Sequence, residues 1–361
     1  MNPDDYAIVI GIRRYPTLGA PYPPGNPHDL QGPERDAQAV NDWLADPAGG
    51  GVPIDNRLLV TSDMYPDPFP TELIAGQPRA AGKPNVDELS GCFGWLIERY
   101  TLAGKLRLGR RLYVYFAGHG FGVADCDGGV YAANASPGIL HHFYVQNWFN
   151  WLYHNAYFNE FVLWMDACSD PIPINGAPSA APLPARQSPD FATGRRFVVY
   201  AARHTLRSVE RRMLDGQIRG AFTYALLEGL RGAAPPDPVT GQVTAPALRD
   251  YLRGNLGSFQ SPQDRENPDI GKEPAFGTVD DLSFGAPTLK RFARVLRFDP
   301  RHFGQQAVIL NGSFMEVAKV VVNGAPWTLN LPTGIYKLEV APATSVFLEM
   351  NGDGADDIFI G

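Results

Sequence analysis

The sequence predicts an α/β protein whose mostly parallel sheet carries helices on both faces and is followed by a small all-β sandwich domain. In the first 284 residues, short apolar runs alternate with amphipathic helical stretches, which is typical of a parallel sheet covered on both sides. From about residue 285 the helical periodicity stops, and short β-type runs recur between turn residues. We therefore predict two domains, 1–284 and 285–361.

Five runs rich in β-branched and aromatic residues predict the strands of the sheet. Their apolar character is continuous, as expected for strands buried on both faces. They lie at Tyr6–Ile12, Arg57–Thr61, Arg111–Ala117, Phe161–Asp166 and Phe197–Ala202. Four further segments repeat apolar residues at helical spacing. These predicted helices are Glu34–Ala45, Val86–Leu106, Thr223–Arg231 and Ala245–Arg253.

A proline-rich stretch at about residues 171–190 interrupts this alternation. It has no hydrophobic periodicity, so we expect an exposed linker between a larger and a smaller part of the first domain.

The second domain is predicted from six short strands. They are Phe292–Phe298, Gln306–Leu310, Val317–Val322, Trp327–Leu331, Ile335–Val340 and Ser345–Met350. Turn residues such as Asn311-Gly312 and Asn323-Gly324 separate them. The following Asn351–Asp357 alternates oxygen-bearing side chains like a calcium loop, but it lacks the closing glutamate, so we favour a turn.

Composition excludes several classes of protein. The net charge is −7 and there is no basic stripe, which argues against a nucleic-acid partner. Cys92, Cys126 and Cys168 form neither a disulfide framework nor the paired spacing of a zinc site. No apolar run is long enough for a membrane helix, and the amino terminus does not resemble a signal peptide. We expect a cytoplasmic protein with no membrane partner and no bound metal.

Two predicted strands end in chemically active residues. The third ends in Phe116-Ala-Gly-His119-Gly and the fourth in Asp166-Ala-Cys168-Ser. Because parallel neighbours have their carboxyl ends at the same edge of a sheet, we expect His119 and Cys168 to face each other. A paired imidazole and thiol can form a nucleophile together with an acid for the leaving group.

The chain resembles the caspase-like cysteine peptidases of clan CD, group C14, and bacterial caspase-like proteins and metacaspases in particular. The matching segments are DYAIVIGI, GPERDAQAVNDWL, RLYVYFAGHG, EFVLWMDACSD and GAFTYALLEGLRG, in the family's order. The gap of 49 residues from His119 to Cys168 agrees with the caspase spacing of about 50. The chain departs from metacaspases at Ala117, where they often have serine, and after the cysteine, where Ser169 begins a different sequence.

The resemblance implies roles for individual residues. Cys168 would be the nucleophile and His119 the general base and acid, with the backbone N–H groups of Gly120 and Cys168 as the oxyanion hole. Asp166 and Asp36 match acidic residues that line the metacaspase S1 pocket, which implies cleavage after arginine in preference to lysine. Self-cleavage would fall at one of the basic residues in or just after the linker, namely Arg186, Arg195 or Arg196.

The resemblance also implies a biological setting. It predicts a regulated effector protease of bacterial stress or antiviral defence, with protein substrates that expose arginine or lysine. No cofactor is required, while Ca²⁺, a small signalling ligand or a protein activator remains open. The segment LNLPTGIYKLEV is similar to PEGA-like modules, which implies an accessory role for the second domain. The rival hypothesis is a catalytically silent scaffold or signal-binding module that acts through this domain.

Two other features have simpler interpretations. The aromatic run His141–Phe158 carries no lysine or arginine, so a core or lid helix is favoured over a base-stacking surface. Cys126 is interpreted as a bystander, with redox regulation as the alternative.

Overall fold

The structure, a computed structural model, describes most of the chain. The described residues are 2–18, 28–74, 76–103, 107–171, 194–213, 215–237, 239–287, 291–312, 314–332, 334–341, 344–350 and 357–361. They form two compact units, of which the first comprises Met1–Tyr224 and Leu256–Leu282 and the second Ala225–Asn255 and Ser283–Gly361. The division into domains 1–284 and 285–361 stays a prediction, because the second unit also includes residues 225–255.

The elements through residue 279 follow the predicted alternation. In chain order they are β1 (Asp5–Gly11), α1 (Pro33–Ala45), β2 (Arg57–Thr61), β3 (Thr71–Ile74), β4 (Gln77–Ala80), α2 (Val86–Ala103), β5 (Gly109–Gly118), β6 (Gly120–Ala124), β7 (Asp127–Tyr131), β8 (His142–Phe143), α3 (Val145–His154), β9 (Phe158–Ala167), β10 (Asp170–Pro171), β11 (Arg195–Tyr200), β12 (Glu210–Arg212), β13 (Ile218–Gly220), α4 (Ala221–Glu228), α5 (Ala245–Asn255), α6 (Pro262–Glu266) and β14 (Ala275–Val279).

The central sheet confirms the predicted fold class. Its strand order is β14-β11-β9-β5-β1-β2, and all neighbours run parallel except the edge strand β14. The five predicted strands are β1, β2, β5, β9 and β11, with bounds that differ by at most three residues. Because five strands run in one direction, their carboxyl ends share one edge.

Helices cover both faces of this sheet. On one face, Trp43 of α1 packs edge-on against Tyr113 of β5 and Trp164 of β9. On the other face, the alternate residues of the same strands form an apolar core with Phe93 of α2 and Phe149 of α3. The segment His141–Phe158 therefore contributes a core helix, α3, as the sequence analysis favoured.

Several short elements escaped prediction. The hairpin β3–β4 lies between the predicted strand at Arg57–Thr61 and the predicted helix at Val86–Leu106, where no element was predicted. Strands β6, β7 and β8 form a small antiparallel group that β10 joins in parallel. The hairpin β12–β13 follows β11. All are two to five residues long, and all except the two-residue β8 contain glycine, proline or charged residues, so they lack the apolar periodicity on which strand prediction depends. The predicted linker falls mostly in residues 172–193, outside the described residues.

The second unit contains the predicted β-sandwich. Its strands are β15 (Arg291–Phe298), β16 (Gln306–Leu310), β17 (Glu316–Val321), β18 (Trp327–Pro332), β19 (Gly334–Val340), β20 (Thr344–Met350) and β21 (Asp357–Ile360). They form two sheets, β18-β15-β21 and β17-β16-β19-β20, whose inward residues make one apolar core. Strand β21 was not predicted, and residues 351–356 of the calcium-like stretch lie outside the described residues.

Candidate active site

His119 and Cys168 follow immediately after two residues that are paired across the sheet. Gly118, the last residue of β5, is the register partner of Ala167, the last residue of β9. The next residue on each chain is the histidine or the cysteine, and both side chains line one cleft of about 210 Å³. The sheet therefore places them at the same edge, as the sequence analysis expected.

The imidazole of His119 is oriented by a backbone carbonyl. Its Nε2 lies 2.7 Å from the carbonyl oxygen of His28. A carbonyl can only accept, so Nε2 carries the hydrogen in this contact, and in the neutral ring Nδ1 then carries the lone pair. This tautomer is the one that can accept a proton at Nδ1.

The thiol of Cys168 is half-buried and lies beside Ser208. Its Sγ is 3.7 Å from the Ser208 carbonyl oxygen, to which the thiol can donate. The hydroxyl of Ser208 donates to Oδ1 of Asp166 at 2.8 Å. Ser208 thus connects the cysteine to the acidic part of the cleft.

Gly120 approaches the cysteine closely. A Cβ at Gly120 would lie 2.6 Å from the Cβ of Ala167 and 2.8 Å from the carbonyl oxygen of Cys168, so only glycine fits here. The backbone of Gly120 is therefore next to that of Cys168. Their joint role as an oxyanion hole stays a prediction.

Asp166 is buried and held by the chain itself. Its Oδ2 accepts the backbone N–H of Thr223 at 3.1 Å and also the Thr223 hydroxyl. Burial raises the pKa of Asp166, and the charge of Glu210 acts in the same direction. A Cβ at Gly220 would lie 2.1 Å from Oδ2 of Asp166, so glycine at position 220 makes room for this carboxylate.

Asp36 is also buried, and it already has a cationic partner. Arg219 donates through Nε to its Oδ1, and the backbone N–H of Gly220 donates to Oδ2 at 2.7 Å. Burial and the charge of Asp166 nevertheless raise the pKa of Asp36 to about 7. Sequence reasoning did not find Arg219.

A third carboxylate, that of Glu210, joins Asp36 and Asp166 along the cleft, and these three residues are called the acidic wall. Glu210 lines the cleft beside Asp36 and Asp166, and its side chain accepts the backbone N–H groups of Gln31 and Gly32. Among the described residues that line the cleft, these three are acidic and none is lysine or arginine. Glu210 belongs to β12, 42 residues after Cys168, where no motif marks it. Sequence reasoning therefore missed it.

Two of the predicted self-cleavage residues lie in the sheet. Arg195 and Arg196 begin β11 and pair with Glu160 and Phe161 of β9. The guanidinium of Arg195 forms an ion pair with buried Glu160, and that of Arg196 lies 4.2 Å from the centre of the Tyr153 ring. Arg186 lies outside the described residues.

The remaining sequence features add nothing to the site. Cys126 is half-buried, and burial raises the pKa of its thiol to about 12. Within the described ranges there is no group of three His, Cys, Asp or Glu side chains placed to hold a metal ion. No helix in the described part of the chain is long and apolar enough to cross a membrane.

Comparison with known proteins finds similarity to a curated protein and to solved structures. No family model matches the chain. Over 235 residues, 63% of the chain, it is 28% identical to a probable protease from a Desulfuromonadales bacterium, and it spans only 26% of that protein's length. Among solved structures, caspase-1 from Spodoptera frugiperda superposes with a TM-score of 0.44 at 12% identity, covering 77% of this chain and 89% of the caspase.

Proposed function

We propose that the protein is a cysteine endopeptidase that hydrolyses peptide bonds after a basic residue, with arginine preferred over lysine. One observation carries the proposal: His119 and Cys168 directly follow paired residues of two parallel strands and share a cleft with three carboxylates. The similarity to a probable protease supports the hydrolytic class.

The chemistry follows from the orientation of His119. Nδ1 takes the proton of the Cys168 thiol, and the thiolate attacks the carbonyl carbon of the scissile bond. The resulting oxyanion would be stabilised by the N–H groups of Gly120 and Cys168. The imidazolium then protonates the leaving amine, which leaves a thioester on Cys168. A water molecule, deprotonated by His119, hydrolyses this thioester and restores the free thiol.

The acidic wall supplies the specificity. A substrate guanidinium offers five donors in a planar fork, which can reach two carboxylates at once, whereas a lysine ammonium is a single point charge. When all three are ionised, Asp36, Asp166 and Glu210 carry more negative charge than Arg219 neutralises, and a cationic P1 side chain would favour this ionised state by balancing the charge. An aspartate at P1 would add a further negative charge and should be rejected.

The biological setting proposed with this activity is that of a regulated effector protease of bacterial stress or antiviral defence, acting in the cytoplasm. Proteins that expose arginine or lysine are its proposed substrates. A small signalling ligand, Ca²⁺ or a protein is its proposed activator.

The test is a set of fluorogenic peptides that differ only at P1, which is arginine, lysine, citrulline or aspartate. We expect kcat/KM to be highest for the arginine peptide, lower for the lysine peptide, and lowest for the citrulline and aspartate peptides. Cys168→Ala and His119→Ala should each lower kcat by several powers of ten. Cys126→Ala is the matched control and should leave kcat unchanged. A full-length protein that cleaves no peptide with any candidate activator would favour the rival scaffold function.

A further inference from the structure

The backbone around His119 needs external support, because glycines lie on both sides of it. Gly118 has φ +155°, a conformation that other residues rarely adopt, and glycine restricts the chain least of all residues. A histidine between two glycines can therefore turn away from Cys168 unless neighbouring residues hold it.

Tyr15 makes two direct contacts with His119. Its hydroxyl oxygen accepts the backbone N–H of His119 at 2.8 Å. Its ring lies against the imidazole, with the ring centres 4.7 Å apart and the planes at 57°. Tyr15 is completely buried, so it does not itself touch a substrate.

Tyr15 is joined to the segment that orients the other side of the imidazole. Its backbone N–H donates to Oδ1 of Asp29 at 2.8 Å, and the N–H of Leu30 donates to the carbonyl of Arg13 at 2.9 Å. The residue before Asp29 is His28, whose carbonyl accepts from Nε2 of His119. These contacts close a ring that runs from Tyr15 to His119, to His28 and Asp29, and back to Tyr15.

We propose that Tyr15 is a positioning residue that fixes the backbone and the ring plane of His119 so that Nδ1 faces Cys168. The inference rests on the proposed function, which makes His119 the base of the reaction. The His119 carbonyl accepts the N–H of Tyr131 at 2.9 Å and its Nε2 contacts the His28 carbonyl, and the fully buried Tyr15 adds a restraint on the His119 N–H and on the ring plane without lining the cleft.

The test is Tyr15→Phe, which keeps the ring and removes the acceptor of the His119 N–H. We expect kcat for an arginine peptide to fall about 10- to 100-fold, as for a catalytic group displaced by a fraction of an ångström, while KM changes less than about twofold. The control is Tyr113→Phe. Tyr113 is equally buried, and its hydroxyl accepts from Arg111 at 2.8 Å, away from His119.

A second readout needs no substrate. The rate of Cys168 alkylation by iodoacetamide, measured against pH in a Cys92→Ala/Cys126→Ala background, reports how well the imidazolium stabilises the thiolate. Tyr15→Phe should raise the pH midpoint of the alkylation rate toward about 8.5, the pKa of an ordinary thiol. Tyr113→Phe should leave this midpoint unchanged. If Tyr15→Phe fails to fold, Asp29→Ala loosens the same ring of contacts and should shift the midpoint in the same direction.

The outcomes separate the two proposals. A shifted alkylation midpoint in a protein that cleaves no peptide would support the positioning role and overturn the endopeptidase. An unchanged midpoint and kcat in Tyr15→Phe, or equal changes in Tyr113→Phe, would overturn the positioning role whatever the substrate.

Discussion

The ionisation of Asp36 should make the proposed preference for arginine depend on pH. Its pKa is raised to about 7, so the carboxyl is neutral below that pH and charged above it. A cationic P1 side chain favours the charged form. The ratio of kcat/KM for an arginine peptide to that for its citrulline counterpart should therefore rise as the pH increases through about 7. Titration of the Cys168–His119 pair cancels in this ratio, so a flat profile would exclude Asp36 from P1 recognition.

Glu210 should contribute to the same selectivity through its charge. Glu210→Gln keeps an oxygen that can accept the N–H groups of Gln31 and Gly32 but removes the negative charge. We expect kcat/KM for arginine peptides to fall about 10- to 150-fold, the usual range for a hydrogen bond to a charged group, with citrulline peptides unaffected. Glu273→Gln is the control, since Glu273 is an exposed acid paired with Arg203. Equal losses for both peptides would indicate a structural role only.

At the scale of residues, the sequence could predict those parts of the site that are fixed by strand ends. Cys168, His119 and Asp166 lie at or just beyond the ends of long apolar strands, and a parallel sheet leaves little freedom in where such ends meet. Glu210 and Arg219 could not be predicted, because they lie in the short hairpin β12–β13. The position of that hairpin depends on its contacts with α1 and β9, and these contacts cannot be predicted from a local sequence pattern.

Among the elements, β11 would restrict the positions at which the proposed self-cleavage could occur. Cleavage after Arg195 or Arg196 would require β11 to leave β9, because a scissile segment must enter the active-site cleft in extended form. It would also break the ion pair with Glu160, which is shared with Arg110 and Arg111. Glu160 would keep Arg110 and Arg111 as partners, so the larger cost is that of separating β11 from β9, with which it pairs over six residues.

We therefore predict that self-processing, if it occurs, takes place at Arg186. Arg186→Gln should abolish the fragment pair, and Arg195→Gln should retain it. Intact-mass measurement of both variants beside Cys168→Ala makes the comparison. Fragments that end at Arg195 in the wild type and are absent from Cys168→Ala would contradict the prediction.

Strands were predicted most accurately where their apolar residues form a continuous run. Strands such as β5 and β9 were found because buried parallel strands are continuous apolar runs. In the sandwich, the strands were found from turn residues and alternation, and β21 was missed because Asp357–Ile360 is only four residues long and follows a polar stretch. Its pairing is with β15, more than 50 residues earlier in the chain, and such a long-range partner leaves no local signal.

On the scale of the whole molecule, the chain crosses between its two units more than once. Residues 225–255 belong to the second unit, while residues 256–282 return to the first. Within the second unit, Asn255 donates through Nδ2 to the carbonyl of Gly312 at 2.7 Å. Gly312 also packs against Tyr251, since a Cβ there would lie 2.6 Å from that ring. The sandwich strands alone are therefore not a separable part of this unit.

Truncation after residue 284 should consequently destabilise the protein rather than leave an intact first domain. It would expose Tyr251, which is now completely buried, and remove the acceptor of buried Asn255. Burying one large side chain contributes about 1.5–3 kcal/mol, and an unpaired buried polar group costs about 1–3 kcal/mol. Residues 1–284 should therefore unfold at a lower temperature than the full chain and bind a dye that reports exposed apolar surface.

Gly312→Ala should also lower the unfolding temperature of the full chain. Gly138→Ala is the control and should leave that temperature unchanged, because a Cβ at Gly138 would meet nothing within 4 Å. A truncated protein with the unfolding temperature of the full chain would instead support an independent domain beginning at residue 285, and its peptidase activity would then test whether that domain regulates the site.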